Sequence, residues 1–396
     1  MFVYFDNSAT TRQLDAVTET VYRTAKEEFG NPSSLHRLGV RSEKILKQAR
    51  RSAAALLHAE PEEVFFCSGG TEADNTAVFG AARAGKRRGN KIITSSIEHP
   101  AVLEACRQLQ AEGFEVVFLP VDRDGIVDLR ALEEELDDNT ILVSIMHVNN
   151  ESGAIQPVAE IGRLVREQGK ALFHCDAVQS YGKIPIDVRA AGIHLLSASG
   201  HKIHGPKGTG ILYIRKGVHI PSFQYGGGQE RGFRSGTENV PGIAGFGVAA
   251  EEAAKRLRTD AGKSRAMGER LAGGIRERIG DITINSPVEA VRNGESVWLP
   301  NIVNVTFHGC RGEVLLHMLE QSEIFVSTGS ACSSHKKGFS HVLLAMGCGE
   351  NGAEGAVRFS LSYLNEPEEV EYVLDRLAEA VEQHRKMMKI ANRMGR

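Results

Sequence analysis

The chain has 396 residues, enough for roughly two domains with substantial cores. Its 47 Lys and Arg and 50 Asp and Glu residues leave a net charge of −3, so composition gives no electrostatic case for direct nucleic-acid binding. No apolar run is long enough to span a bilayer, and the first residues lack the basic and apolar regions of a signal peptide. We therefore expect neither a membrane protein nor a secreted one.

The number and spacing of the cysteines further limit the class of protein that the sequence can represent. The six cysteines form no Cys-x-x-Cys pair, which argues against a structural zinc site. Without a secretory signal, a disulfide framework is not expected either. We expect reduced thiols in a cytoplasmic protein that has no metal of its own, and one of these thiols is free to serve as a nucleophile.

Residues 1 to about 260 alternate short apolar runs with longer stretches of helical periodicity. This alternation predicts an α/β fold with a mostly parallel seven-stranded sheet that is covered on both faces by helices. Ligands of such sheets bind at the carboxyl ends of the strands. The predicted strands are 64–67, 91–95, 116–119, 141–148, 171–175, 193–197 and 210–214, with clear helical spacing at 101–112 and 158–168.

From residue 251 the pattern changes. A long helical pattern over 251–279 precedes short apolar runs at 302–307, 325–327 and 358–361, a helical stretch at 313–321 and a last helix from Pro367. We expect a smaller α+β domain, formed by residues 1–13 and 263–396, to pack on a large domain of residues 14–262.

Lys202 lies in a turn of small residues, 199–208, directly after a predicted buried strand. Most lysines lie on solvated helix faces. A desolvated lysine has a lowered pKa and can act as a nucleophile, a Schiff-base partner or a general base. The alternative is a structural turn whose lysine caps a neighbouring element.

Three other polar groups follow predicted strands. Gly70 and Thr71 open a helical stretch, where free backbone N–H groups suit a phosphate; a simple strand-to-helix turn is the alternative. Asp176 can pair with a cationic ligand nitrogen, with Gln179 in the same pocket, or can cap the next helix. His99 follows the strand 91–95, where a lone histidine is more often structural than catalytic.

Taken together, Lys202, Asp176 and the Gly70–Thr71 pair favour one cofactor. Pyridoxal 5'-phosphate needs a Schiff-base lysine, an acidic partner for its ring nitrogen and a phosphate cradle. All three follow strands of one predicted sheet, so the combination predicts a pyridoxal phosphate site.

Two loops in the later part of the chain carry further polar residues. Residues 225–239 form a glycine-rich loop with two arginines, Arg231 and Arg234. Cys332 lies among small polar residues in a loop of about 326–340, unlike the other cysteines, which mostly border apolar runs. Basic residues 335–337 would favour its thiolate, so a reactive thiol is the preferred interpretation over an inert one.

Over essentially its whole length the chain resembles the cysteine desulfurases of the NifS/IscS type, in the class V aminotransferase branch of the fold-type I pyridoxal phosphate enzymes. The cysteine loop resembles the long loop of the group I subclass. The motifs that carry the resemblance are Asp6-Asn7-Ser8-Ala9-Thr10-Thr11, Gly30-Asn31-Pro32-Ser33-Ser34, Gly69-Gly70-Thr71-Glu72, Glu98-His99, His147-Val148-Asn149-Asn150-Glu151, Asp176-Ala177-Val178-Gln179-Ser180, the Lys202 turn and Gly329-Ser330-Ala331-Cys332-Ser333-Ser334.

The resemblance implies a role for each matching residue. Lys202 would bind the cofactor covalently, and Asp176 would keep its ring nitrogen protonated. Further implied positions are Gln179 and Asn150 at the phenolic oxygen and the substrate, His99 stacked on the ring and moving protons, Gly70, Thr71, Ser199 and His201 at the phosphate, Thr237 at the phosphate of the other subunit of a homodimer, and Arg358 at the substrate carboxylate.

The same resemblance implies the reaction. Lys202 would take the Cα proton of L-cysteine, and the Cys332 thiolate would attack the substrate sulfur, which yields L-alanine and a Cys332 persulfide. The acceptor would be an iron–sulfur scaffold protein, on which Cys332 could contact a nascent cluster, a tRNA-thiolating enzyme or a thiamine-pathway carrier. The basic residues 335–337 depart from the family pattern and leave the acceptor open.

Two other functions compete with this one. A selenocysteine lyase or an aminotransferase would belong to the same branch, although an aminotransferase has no need of a reactive cysteine loop. A non-catalytic sulfur carrier or scaffold protein would be colourless, and its behaviour would survive Lys202→Ala.

Overall fold

Fourteen strands are found in the part of the chain that the structure, a computed structural model, describes: residues 1–257, 259, 261–328 and 338–394. The strands are β1 (Val3–Tyr4), β2 (Val64–Cys67), β3 (Lys91–Ser95), β4 (Glu115–Leu119), β5 (Thr140–Ser144), β6 (Leu172–Asp176), β7 (Leu195–Ser199), β8 (Gly210–Ile214), β9 (Ile282–Ile284), β10 (Val291–Arg292), β11 (Glu295–Ser296), β12 (Ile302–Phe307), β13 (Ile324–Phe325) and β14 (Ala356–Ser360).

Twelve α-helices lie in the same described ranges, and none of them is long and apolar enough to cross a membrane. They are α1 (Asp15–Glu27), α2 (Arg37–Ala55), α3 (Gly70–Gly85), α4 (Pro100–Ala111), α5 (Leu129–Glu135), α6 (Val158–Gln168), α7 (Val240–Arg256), α8 (Ala261–Arg278), α9 (Gly312–Glu320), α10 (His341–Ala345), α11 (Gly349–Glu354) and α12 (Pro367–Met394).

Seven strands form the large sheet, in the order β2-β8-β7-β6-β5-β3-β4. The strand β8 is antiparallel to both neighbours, and the other pairs are parallel. The strands β3, β5, β7 and β8 are buried along their whole length, as expected for apolar strands covered on both faces. The predicted α/β class with a mostly parallel seven-stranded sheet is confirmed.

Two predicted elements are wrong at their ends or in their continuity. The strand predicted over 141–148 ends at Ser144, although Ile145 and His147 still donate to the carbonyls of His174 and Asp176 on β6, at 3.1 and 2.8 Å. The helical pattern over 251–279 is divided between α7 and α8. Weak helix formers, Thr259 and Gly262, lie at that division.

A second core forms around the sheet β14-β12-β9 and the helices α8, α9 and α12. The first residues of the chain join this core, because β1 pairs with β13 and the side chains of Val3 and Phe5 are fully buried in it. This packing agrees with the grouping of residues 1–13 with the later part of the chain. The division of the chain into domains at residues 262 and 263 stays a prediction.

A buried polar chain crosses the large sheet at β6. His174 lies between two serines of the neighbouring strands: its Nδ1 is 2.8 Å from Ser144 Oγ, and its Nε2 is 3.0 Å from Ser197 Oγ. Asp74 of α3 is 3.7 Å from the same Nε2. Burial lowers the pKa of His174 to about 3, so the imidazole is neutral at neutral pH.

Replacement of Phe5 by alanine tests the contribution of the first residues to the second core. We expect Phe5→Ala to reduce the free energy of unfolding by about 3–5 kcal/mol, since it leaves a cavity in a packed core. Phe2→Ala is the matched control, because Phe2 is exposed and its ring lies tilted against that of Phe325, with the centroids 5.2 Å apart. Its cost should stay below about 1 kcal/mol. Urea unfolding of both variants measures the difference, and equal midpoints would contradict this packing.

The neutral His174 predicts an acid-sensitive fold. The native pKa of His174 is below its unfolded value, so the unfolded chain binds more protons and stability is lost as pH falls below about 6.5. Between pH 7 and 5 this histidine alone should remove about 2 kcal/mol. Burial raises the pKa of Glu98 to about 8 and that of Glu151 to about 7. These two carboxyl groups therefore have the opposite effect and add stability to the fold as pH falls.

Comparison of the wild type with histidine variants isolates the contribution of His174 to the pH dependence of stability, because Glu98 and Glu151 are present in all of these proteins. Urea unfolding at pH 7 and 5 should show a smaller acid-induced loss in His174→Gln than in the wild type. The exposed His317 provides the control, and His317→Gln should keep the wild-type pH dependence. An unchanged loss in His174→Gln would disprove the assignment.

Candidate active site at the carboxyl edge of the large sheet

Lys202 ends a short helical turn, Gly200–Lys202, that directly follows β7. A side chain at Gly200 would place its Cβ 2.5 Å from Thr209 Oγ1 and 2.9 Å from the Phe246 ring, so the turn depends on glycine there. The Lys202 Nζ donates hydrogen bonds to the carbonyl of Ala9 at 2.9 Å and to that of Ser8. The turn thus holds its lysine against the first residues of the chain.

The segment of residues 8–11 is part of the site. Thr11 donates from both its N–H (3.0 Å) and its hydroxyl (2.9 Å) to the carbonyl of His201. His201 Nδ1 in turn lies 3.1 Å from Thr10 Oγ1. The sequence of the Asp6–Thr11 motif does not predict this contact, because nothing local to the motif indicates that it packs on a turn about 190 residues later.

Gly70 and Ser199, two of the residues that the resemblance implies at the phosphate, lie side by side. A Cβ on Gly70 would be 3.9 Å from the Ser199 Cβ and 2.7 Å from a methyl group of Val178, so only a glycine fits. The Ser199 hydroxyl is buried and has no hydrogen-bond partner among the described residues. Thr71 is exposed in the first turn of α3, whose N–H groups are open to an anion.

Asp176 is the last residue of β6 and is buried. Its Oδ1 accepts a hydrogen bond from the Val178 N–H at 2.9 Å. Burial raises the pKa of Asp176 to about 6, and the Val178 N–H and the charge of Lys202 partly oppose that rise. A desolvated carboxylate of this kind is stabilised by a cationic partner, such as a protonated ring nitrogen.

His99 is the N-cap of α4, at the end of β3. Its Nδ1 accepts the Ala101 N–H at 3.1 Å, which leaves the proton on Nε2. Burial and the charges of Lys202 and His341 lower the pKa of His99 to about 4, so the ring is neutral. Glu98, which sequence reasoning did not select, is fully buried beside it and accepts from Ser95 Oγ at 2.6 Å and the Met146 N–H at 2.9 Å.

Arg358 approaches the same site from the second sheet, on β14. Its Nη2 donates to Asp6 Oδ1 at 2.8 Å, and its Nη1 donates to the carbonyl of Asn150 at 3.2 Å. Its Nε is buried and has no partner among the described residues. A guanidinium held in this way keeps a donor for a carboxylate.

Gln179 is buried and joins two parts of the site. Its Nε2 donates to the Ser8 carbonyl at 2.9 Å, the same oxygen that accepts from Lys202. Its Oε1 accepts from Lys183 Nζ at 3.1 Å. Lys183 was not predicted from the sequence. Its position four residues after Gln179, one turn further along the chain, is the signal that could have indicated it.

For two of the predicted site residues, Thr237 and Cys332, the structure of this single chain gives no position at the site. Thr237 is exposed, and its role in the partner subunit's phosphate site stays a prediction. Cys332 and most of its loop, residues 329–337, lie outside the described residues. Beyond them the chain is anchored, since Ser340 Oγ donates to the buried carboxylate of Glu151 at 2.6 Å.

The residues present fit pyridoxal 5'-phosphate. The unpartnered Ser199 hydroxyl and the close approach at Gly70 suit the phosphate, and the desolvated Asp176 suits the ring nitrogen. Lys202 lies near Asp176 and His99, whose pKa values its charge affects. In the described part of the chain no cluster of His, Cys, Asp and Glu could hold a metal ion.

Comparison with known proteins agrees with this site. The class-V aminotransferase family model matches residues 3–373. The cysteine desulfurase IscS of Clostridium botulinum is 45% identical over 385 residues, which cover 97% of this chain and 96% of that protein. The cysteine desulfurase IscS of Methanosarcina thermophila is 46% identical over 385 residues, covering 97% and 93% of the two chains.

A solved structure shares the fold over the same length. A NifS-like protein superposes with a TM-score of 0.89 at 42% identity, over 96% of this chain and all (100%) of that one. The predicted cofactor, pyridoxal 5'-phosphate, is confirmed by this family membership together with the fit of the residues. The chain therefore belongs to the class-V aminotransferase family, in its branch of NifS/IscS-type cysteine desulfurases.

Proposed function

We propose that this protein is a cysteine desulfurase, which converts L-cysteine to L-alanine and retains the sulfur as a persulfide on Cys332. The observation that carries the proposal is the convergence of Lys202, Asp176 and the Gly70–Ser199 cradle at one edge of the large sheet. Arg358 reaches that edge from the second sheet. The named relatives support the choice of substrate.

Each site residue has a separate role in the proposed reaction. Arg358 binds the substrate carboxylate, and the Asp6 and Asn150 contacts orient its guanidinium. The bound cofactor supplies an electron sink that makes the Cα proton acidic. Lys202 accepts that proton, and the neutral His99, with its proton on Nε2, can donate one.

Sulfur transfer is written as one balanced exchange. The Cys332 thiolate attacks the substrate sulfur, a new S–S bond forms, and the Cβ–S bond breaks with its electron pair left on the carbon. That carbon is later protonated, which gives L-alanine. The attacking sulfur and the transferred sulfur together form the persulfide, and no outside oxidant is required.

We further propose a cytoplasmic homodimer in which Thr237 completes the phosphate site of the other subunit. Its exposure in the single chain supports this assignment. The persulfide passes to an acceptor protein for iron–sulfur cluster assembly or tRNA thiolation, and Cys332 could contact a nascent cluster on a scaffold. The basic residues 335–337 beside Cys332 favour an acidic docking surface on the acceptor.

Two variants test the division between cofactor chemistry and sulfur transfer. Lys202→Ala should yield a protein without the covalently bound yellow cofactor and at least 10³-fold less active in forming alanine from L-cysteine, since it removes both the attachment point and the base. Cys332→Ser should stay yellow but acquire no ³⁵S label from radioactive cysteine.

Cys348→Ser is the control, since this thiol is half-buried and its burial raises its pKa. It should retain the label. Normal sulfide release by Cys332→Ser would disprove the persulfide role, and a colourless wild type would instead favour the non-catalytic carrier. Preference for selenocysteine in competition kinetics would favour a lyase, and accumulation of pyridoxamine phosphate an aminotransferase.

Arg358→Gln tests substrate binding. Loss of the charged donors should raise KM for L-cysteine by roughly 10- to 100-fold, with a smaller change in kcat, because charged hydrogen bonds contribute about 1.5–3 kcal/mol. The exposed Arg12 provides the control, and Arg12→Gln should be neutral. An unchanged KM in Arg358→Gln would remove this residue from the substrate site.

A further inference from the structure

Lys183 is an unassigned lysine at the edge of the active site. It follows Asp176 and Gln179 in the turn after β6, and its Nζ donates to Gln179 Oε1 at 3.1 Å. The turn is closely packed, since a Cβ on Gly182 would lie 2.9 Å from the Ala253 Cβ. The side chain is therefore directed to Gln179 by a constrained backbone.

The charge of Lys183 is costly in this position. Among the described residues no carboxylate forms an ion pair with it. It lines a cavity of about 270 Å³ together with Lys202, Arg256 and Arg265, and the described residues that line this cavity include no Asp or Glu. Burial and the charges of Lys202 and Arg358 lower its pKa to about 7. Packing alone gives no reason for a lysine here.

What the lysine does determine is the orientation of an amide. The side-chain amide of Gln179 has two possible orientations, with either its oxygen or its NH₂ group towards Lys183 and the other group towards Ser8. Lys183 donates to the oxygen, so the NH₂ group faces the Ser8 carbonyl, to which it donates at 2.9 Å. That carbonyl also accepts from Lys202. The reversed amide would place two oxygens against each other at Ser8 and two donors against each other at Lys183.

We infer that Lys183 is a positioning residue, which holds the Gln179 amide so that its NH₂ group faces Lys202 and the phenolic oxygen of the cofactor. The inference rests on the proposed function and on the place at the phenolic oxygen that the family resemblance implies for Gln179. Both the charged and the neutral amine can donate to Oε1, so the orientation is kept on either side of the lysine's pKa. A donor at the phenolic oxygen stabilises its negative charge, and a reversed amide would destabilise it.

The visible absorption band of the bound cofactor reports this contact, because its position changes with protonation at the linkage to Lys202. Without the amide donor the phenolic oxygen holds that proton more tightly, so the apparent pKa of the band should rise. We expect Lys183→Met to raise it by about half to one pH unit, the size expected for one hydrogen bond. Lys183→Arg, which keeps a donor, should restore much of the wild-type value.

Loss of a positive charge would also raise this apparent pKa, so a double-mutant cycle separates the two causes. If Lys183 acts through the amide, Lys183→Met should shift the band in the wild type but not in Gln179→Ala. An equal shift in both backgrounds would show a direct charge effect and overturn the inference. Cofactor content and the thermal unfolding midpoint of each variant show whether it is folded and loaded.

The remaining outcomes distinguish the inference from the proposed function. If Gln179→Ala shifts the band and Lys183→Met does not, the role of Gln179 stands and that of Lys183 is wrong. If Gln179→Ala leaves the band unchanged, the proposed contact of Gln179 with the cofactor fails, and the inference fails with it. Neither result bears on Cys332 labelling, which tests the desulfurase reaction separately.

Discussion

Four neighbouring strands, β3, β5, β6 and β7, run parallel, and their carboxyl ends therefore meet at one edge of the large sheet. The chain leaves these strands towards His99, Asn150, Asp176 and Lys202 respectively. The sheet thus brings together residues that are far apart in the sequence, and these residues need no strong contacts with one another to become neighbours. At Gly70 and Gly200 the backbone also lies close to neighbouring side chains, since a Cβ there would be 2.7 Å from a methyl group of Val178 and 2.5 Å from Thr209 Oγ1.

The electrostatics of the site follow from the burial of charges at this edge. Burial raises the pKa of the acids Asp176, Asp74 and Glu98, while burial and then neighbouring cations lower the pKa of Lys183. Such an arrangement is unfavourable by itself and becomes favourable when a ligand supplies the missing charges. A phosphate, a protonated ring nitrogen and a substrate carboxylate would provide them.

Much of this could be predicted from the sequence, because its signals are local. Apolar strands with polar residues at their ends predicted the sheet and the positions of Lys202, Asp176 and Gly70. The contacts that hold those residues were not predictable, since they connect distant segments: Asp6 with Arg358, Ser8 with Gln179 and Lys202. Lys183 was missed because its sequence neighbours resemble any turn. It is distinguished by its contact with Gln179 and by the lack of a carboxylate partner among the described residues.

The position of residues 3–11 has a consequence for the order in which the site can form during synthesis. These residues are synthesised before the segments that they contact, because β1 pairs with residues 324–325 and Asp6 contacts Arg358. The segment whose carbonyls hold Lys202 therefore gains these partners only after residue 358 has been made, long after the last strand of the large sheet, β8. Incomplete chains would lack the substrate clamp and a fixed lysine, which would keep unfinished protein from releasing reactive sulfur.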